Sequence, residues 1–178
     1  MHQDVERILF NQTDIAQKVA QLGEEITKDF QGETPLLIAV LKGSFVFMAD
    51  LVRHIDLNCN IEFLGVSSYG NKSETTGAVR ITRDLDYDIE NRHVIVVEDI
   101  LDSGLTLNYL LGYLENRKPA SISLCTLLDK PERRQVQVQA KYTGFTIPDA
   151  FVVGYGLDFA EEYRNLPYIG ILKPEVYQ

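Results

Sequence analysis

Apolar positions recur with two different periods along this chain. Over residues 11–30 they fall on one helical stripe, Ile15, Val19, Leu22, Ile26 and Phe30. That spacing predicts an amphipathic helix, started by Asn11 or Thr13 and closed beyond its end by Gly32. Residues 35–41 are then continuously apolar, which predicts a buried strand, and a helical pattern over 45–54 follows the turn Lys42-Gly43-Ser44. A strand is predicted over 60–67. Residues 68–83 are polar, with Gly70, Gly77 and three threonines, and so read as a long connection. The β-branched run 94–97 predicts a strand buried on both faces. Leu105, Leu107, Leu110, Leu111 and Leu114 then predict a helix. Strands are predicted over 121–128, 142–145 and 168–172, with another at 151–153 running into the glycine-rich turn 154–158. Strands alternating with helices predict an α/β fold with a mainly parallel central sheet flanked by helices. Residues 1–178 read as one domain, with a small hood subdomain built from the N-terminal segment and about residues 130–178.

Composition narrows the class. The 178 residues are 45% hydrophobic and 24% charged, as in a globular chain with a real core. A net charge of −9 argues against general nucleic-acid binding. No apolar run is long enough to span a bilayer, and residues 1–6 lack signal-peptide character. Cys59 and Cys125 lie far apart in apolar surroundings without metal-type spacing. Reduced thiols and a cytoplasmic location are therefore expected.

The chemistry concentrates between the 94–97 run and the helix that follows. Glu98, Asp99, Asp102, Ser103, Gly104 and Thr106 stand at the carboxyl end of a strand and the amino end of a helix, where open α/β sheets bind ligands. The first helical N–H groups there favour a phosphate, and Gly104 permits close approach of the backbone. Acids beside a phosphate must face something else: sugar hydroxyls, a divalent cation or a proton to be removed. A phosphorylated sugar with a metal satisfies all three. Lys42-Gly43 marks a second strand–turn–helix crossing suited to an anion.

Adjacent acids after an apolar strand, followed by Asp102-Ser103-Gly104-x-Thr106, resemble the phosphoribosyl-diphosphate (PRPP) signature of the type I phosphoribosyltransferases. Val40-Leu41-Lys42-Gly43-Ser44 resembles the pyrophosphate loop of the hypoxanthine branch of that family, in which the Lys-Gly peptide can be cis. Leu127-Leu128-Asp129-Lys130 and the segment from Ile147 to Asp158 are similar to its purine-recognition segments, not to those of orotate or uracil enzymes. The resemblance covers about residues 36–166 and implies the type I phosphoribosyltransferase fold. It implies an Mg²⁺-dependent purine-salvage enzyme that joins the 5-phosphoribosyl group of PRPP to hypoxanthine or guanine, releasing pyrophosphate and a nucleoside monophosphate.

The same resemblance implies residue roles. Asp102 is the general base. PRPP is held by Lys42, Gly43, Glu98, Asp99, Asp102, Ser103, Gly104, Leu105, Thr106 and Arg164. Lys130, Phe151, Val152 and Asp158 hold the purine: Phe151 stacks on it and Lys130 donates to its 6-oxo oxygen. Glu98, Asp99 and Asp158 serve the metal, and Ser68-Tyr69 belong to a mobile loop over 68–83. Leu105 stands where relatives often carry a lysine or arginine, and Phe159 where many have tyrosine. A homodimer or homotetramer is implied, with no nucleic-acid or membrane partner. Two alternatives stay open: a xanthine-preferring enzyme of the same reaction type, and a PRPP-sensing RNA-binding regulator of the same fold, which the acidic charge disfavours.

Overall fold

A computed structural model describes residues 1–68 and 79–178, with Ser68 described by its backbone alone. The chain runs β1 (Val5–Phe10), α1 (Gln12–Asp29), β2 (Leu36–Leu41), α2 (Phe45–Val52), β3 (Asn60–Ser68), β4 (Val79–Arg83), β5 (His93–Leu101), α3 (Leu105–Glu115), β6 (Ser121–Asp129), β7 (Tyr142–Thr146), β8 (Val152–Val153), β9 (Ile169–Leu172) and α4 (Pro174–Tyr177). Of the two possible caps for α1, Asn11 is the one used. Its side chain accepts from the Thr13 and Asp14 N–H groups, and Asp14 returns a bond to the Asn11 N–H. The chain leaves that helix through Gly32 at φ +83°.

Six strands form the main sheet in the order β4-β3-β2-β5-β6-β7, parallel except for the antiparallel β3–β4 pair. Its central strands are apolar on both faces, and alternate side chains enter two different cores. Leu37, Ala39, Ile95 and Val97 pack with the α1 stripe and with Phe47, Met48 and Leu51 of α2. Leu36, Ile38, Val40, Val94 and Val96 pack with Leu107, Leu110 and Leu114 of α3. The chain leaves β2 toward β3 and leaves β5 toward β6, so the strand order reverses between β2 and β5. The carboxyl ends of those two strands therefore open a crevice.

Several boundaries differ from the sequence reading. β5 does not stop at Val97. Its pairing with β6 continues through Leu101↔Asp129, so Glu98 and Asp99 are strand residues and not part of the turn. Residues 79–83 of the long polar connection form β4, paired with β3. Tyr69 and the rest of that connection lie outside the described residues. α2 ends at Val52, before His54. A hood beginning near residue 130 is also too broad. β7 joins the main sheet, whereas the small antiparallel sheet is β1-β9-β8, drawn from both ends of the chain. β1, Val5–Phe10, alternates too weakly to be read in advance. Its partner β9 makes it a strand.

Candidate active site

The turn after β5 is built around one glycine. Gly104 adopts φ +81°, and a side chain there would press on Arg134 and Val136. This lets α3 begin abruptly, without a side-chain cap. The Ser103 hydroxyl accepts from the Leu105 N–H at 3.3 Å, so Leu105 spends its amide inside the turn. Glu98, Asp99, Ile100, Asp102, Ser103, Gly104, Thr106 and Leu107 enclose a polar cavity of about 190 Å³ at the amino end of α3. That is the setting in which free helical N–H groups bind an anion.

Glu98 is 8% exposed and lies beside Asp99. Burial first, and then the Asp99 charge, push its carboxyl well above the ordinary carboxylate range. Its Oε1 accepts the Asp99 N–H at 3.0 Å, and Asp99 Oδ1 accepts the Ile100 N–H at 2.8 Å. The folded protein keeps a proton on Glu98 that the unfolded chain loses above about pH 4.5. The stability this contributes is complete below that pH and is lost as pH rises through the raised folded value. Glu98→Gln stays neutral at every pH. In the ligand-free protein, its melting temperature relative to the parent is expected to rise between pH 5 and pH 8. Parallel pH profiles in differential scanning calorimetry would show that the buried charge is not felt.

A second cavity, of about 320 Å³, lies on the other side of Asp102. It is lined by Asp99, Ile100, Asp102, Lys130, Arg133, Phe151, Val152, Leu157 and Asp158. Lys130 is only 6% exposed. Its ammonium donates to the Ala150 carbonyl at 2.9 Å and stands 3.8 Å from both Asp102 and Asp149. An ammonium has three donors, so capacity remains for a ligand oxygen in this cavity. Among the described residues Asp102 Oδ1 is buried without a hydrogen-bond partner, although the Arg133 Nε is 3.3 Å away. Its two neighbours are therefore ionic contacts. Asp99, Ile100 and Asp102 line both cavities, so the two share one wall.

The crevice is closed from the β2 side. Carrying the parallel β2–β5 register forward brings Leu41 level with Asp99. Gly43 packs so tightly there that an added Cβ would fall inside the Asp99 carboxylate. Gly156, at φ +100°, rests against the Gly43 carbonyl in the same way. The cis peptide is Leu41-Lys42, one bond before the Lys-Gly peptide that can be cis in the family the sequence resembles. The Lys42 ammonium pairs with Glu161 at 2.8 Å. The Arg164 fork, expected to be open to phosphate oxygens, is already engaged. It donates to the Gly156 carbonyl at 2.8 Å and pairs with Asp158 at 3.1 Å and Glu161 at 3.4 Å. Ser68 ends β3 and is described by its backbone alone, and Tyr69 lies outside the described residues.

Four residues at the site were not read from the sequence. Arg133 faces Asp102 and Asp149 at 3.3 and 3.6 Å. Arg134 donates to the Asp102 carbonyl at 3.0 Å and to the Val138 carbonyl at 2.8 Å, and pairs with Asp129. Asp149 and Glu161 complete the set. The adjacent basic pair just after Asp129-Lys130 was the available signal. The two acids had little: Asp149 pairs with Lys130 and Arg133 and Glu161 with the distant Lys42, although Arg164 lies only three residues beyond Glu161.

Comparison with known proteins agrees with this geometry. Residues 6–160 match the family model described as the phosphoribosyl transferase domain. The chain is 52% identical over 178 residues to a hypoxanthine-guanine phosphoribosyltransferase of Bacillus subtilis (strain 168), covering 100% of this chain and 99% of the relative. A crystal structure of a hypoxanthine phosphoribosyltransferase from Staphylococcus aureus is similar with a TM-score of 0.97 at 50% identity, covering 100% of this chain and 97% of that one. A Bacillus anthracis hypoxanthine-guanine phosphoribosyltransferase, crystallised with a HEPES molecule in its active site, gives a TM-score of 0.91 at 52% identity over 95% of this chain and 99% of its own.

Proposed function

The chain belongs to the phosphoribosyl transferase domain family, and on that premise we propose that it transfers the 5-phosphoribosyl group of PRPP to hypoxanthine or guanine. The reaction breaks the bond between the sugar C1 and pyrophosphate and forms one between C1 and a purine nitrogen, with loss of the purine proton. The observation that carries this reading is the shared wall. A polar cavity at a helix start and a second cavity, with Phe151, Val152 and Leu157 on its wall beside the buried Lys130, meet at Asp99, Ile100 and Asp102. A phosphosugar in the first and a base in the second would bring C1 to that wall.

The roles follow from position. The loop 102–106 holds the 5′-phosphate with backbone N–H groups and the Thr106 hydroxyl. Asp102, with an acceptor oxygen not yet hydrogen-bonded, takes the purine proton. Phe151 and Val152 form the base platform, and Lys130 donates to the 6-oxo oxygen. That donor disfavours adenine, whose amino group presents hydrogens there. Lys42 and Arg164 share Glu161, and pyrophosphate oxygens compete with that carboxylate for both cations.

Mg²⁺ fits the acidic pair. Glu98 and Asp99 are adjacent hard oxygen donors, and a dication offsets the burial and mutual repulsion that keep Glu98 protonated. Among the described residues, no cluster of three or more potential ligands could hold a metal alone. This suits an ion held by one or two carboxylates together with substrate phosphates. When bound, Mg²⁺ neutralises the leaving diphosphate. Asp158, paired with Arg164 at 3.1 Å, would serve a second ion.

Two free thiols, one fully buried, accord with a cytoplasmic setting, and no helix among the described residues is long and apolar enough to cross a membrane. The assembly is read as a dimer or tetramer, which light scattering decides.

Steady-state turnover with PRPP, Mg²⁺ and each of hypoxanthine, guanine, xanthine, adenine and uracil tests the proposal. Activity confined to 6-oxopurines is expected, and activity with uracil or adenine alone would overturn it. In the same assay Lys130→Ala is expected to raise the KM for hypoxanthine roughly 10- to 100-fold, as for loss of a charged hydrogen bond. The KM for PRPP should change far less. An equal loss for both substrates would place Lys130 outside the base site.

A further inference from the structure

Phe151 is 37% exposed and enters a strand of only two residues, β8. Little of its immediate backbone fixes the ring. What does so is aromatic. The Tyr177 ring stacks on Phe151, with centroids 4.8 Å apart and planes inclined by 21°. Phe159 meets Phe151 edge-on at 5.6 Å and 87°, and meets Tyr177 at 6.4 Å.

The C-terminal segment is aimed at this position by its own bonds. The Leu172 N–H donates to the Phe151 carbonyl at 2.9 Å, tying the end of β9 to the platform residue itself. The Lys173 N–H donates to the Asp4 carbonyl at 2.9 Å, and Pro174 opens the single turn of α4. That turn carries Tyr177 back over β8, where Val176 and Tyr177 pack against the cluster of Val153 and Leu172.

An aromatic ring has two faces. Tyr177 covers one. The 320 Å³ cavity is lined by Phe151 but by neither Tyr177 nor Phe159, so it opens on the remainder of the ring. We propose that Tyr177 is a positioning residue of the purine site: it backs Phe151 and holds that ring in the orientation on which the base stacks. This rests on the assignment of the 320 Å³ cavity to the base. Without its backing, Phe151 samples other rotamers in the free protein. The base then binds only the competent fraction, and its apparent affinity falls by that fraction.

The test is the split of kinetic constants in Tyr177→Ala, Tyr177→Phe and Phe151→Ala, each in the full chain with PRPP and Mg²⁺. An aromatic stack of ordinary strength predicts that Tyr177→Ala raises the KM for hypoxanthine roughly 3- to 10-fold, with kcat and the PRPP KM within about twofold of the parent. Tyr177→Phe keeps the ring and is expected to restore the parent value. An equal rise for both substrates would reduce Tyr177 to general support of the fold. A lower hypoxanthine KM would place its ring in the base's own seat. Either result overturns the proposal. Phe151→Ala separates the two layers of the argument. If it raises the hypoxanthine KM and Tyr177→Ala does not, only the backing role fails. If neither variant moves that constant, the base site itself lies elsewhere.

Discussion

Asp102→Asn is expected to lower turnover by roughly 10²- to 10⁴-fold, the range for removing a positioned general base, while leaving PRPP binding nearly intact. The two effects separate because the residue's backbone and side chain do different work. The Asp102 carbonyl accepts from Arg134 at 3.0 Å, and the Ser103 carbonyl accepts the Gln135 N–H at 2.9 Å. Neither bond involves the carboxylate, so the turn proposed to present N–H groups to the phosphate is retained. Among the described residues the carboxylate pairs only with Arg133 and Lys130, at 3.3 and 3.8 Å. An amide keeps the volume and loses the proton acceptor. Single-turnover kinetics with pre-bound PRPP give the chemical step directly, and isothermal calorimetry gives the PRPP affinity. Near-parent turnover in the variant would remove Asp102 from the role of base.

Gly43→Ala is expected to cost more than its one methyl group implies. The added Cβ lands in the Asp99 carboxylate. Asp99 is fixed by its bond to the Ile100 N–H at 2.8 Å and cannot turn aside without releasing it. On the other side, the Gly43 carbonyl is packed against Gly156. Either Asp99 gives up that bond and turns aside, or the ends of β2 and β5 move apart, in both cases where Lys42 and Asp99 are proposed to meet the same substrate. A displacement of about 1 Å at a positioning element lowers catalysis about 10²-fold, and that loss is expected in kcat/KM. Overpacking of this kind also destabilises by about 1–3 kcal/mol, which for a chain of this size lowers the melting temperature by roughly 2–10 °C. A variant with parent-like kcat/KM would mean that the crevice yields easily and that Gly43 is not needed for close approach.

Much of this molecule was legible along the chain. The α1 stripe, the doubly apolar strands and the leucine spacing of α3 are local patterns. Each has one low-energy solution, because a 3.6-residue period buries one face of a helix and a continuous apolar run suits a strand covered on both sides. The turn 102–106 was equally readable, since glycine, hydroxyls and carboxylates at a strand–helix junction have few other uses. β1 was not, because Val5-Glu6-Arg7-Ile8-Leu9-Phe10 becomes a strand only through its register with β9, over 160 residues away in the chain.

The sequence by itself therefore determined the kinds and order of the elements, β1 and β4 excepted, and the chemical types brought to the site. Only the tertiary structure decided which of them meet. That Asp102 divides two cavities, that Gly43 lies against Asp99, that Glu161 bridges Lys42 and Arg164, and that Tyr177 covers the back of Phe151 are all contacts between distant segments. The physical reason is that periodicity and propensity act over a few residues. Long-range pairing depends on how sheet register and packed cores place chain ends that carry no signal of one another.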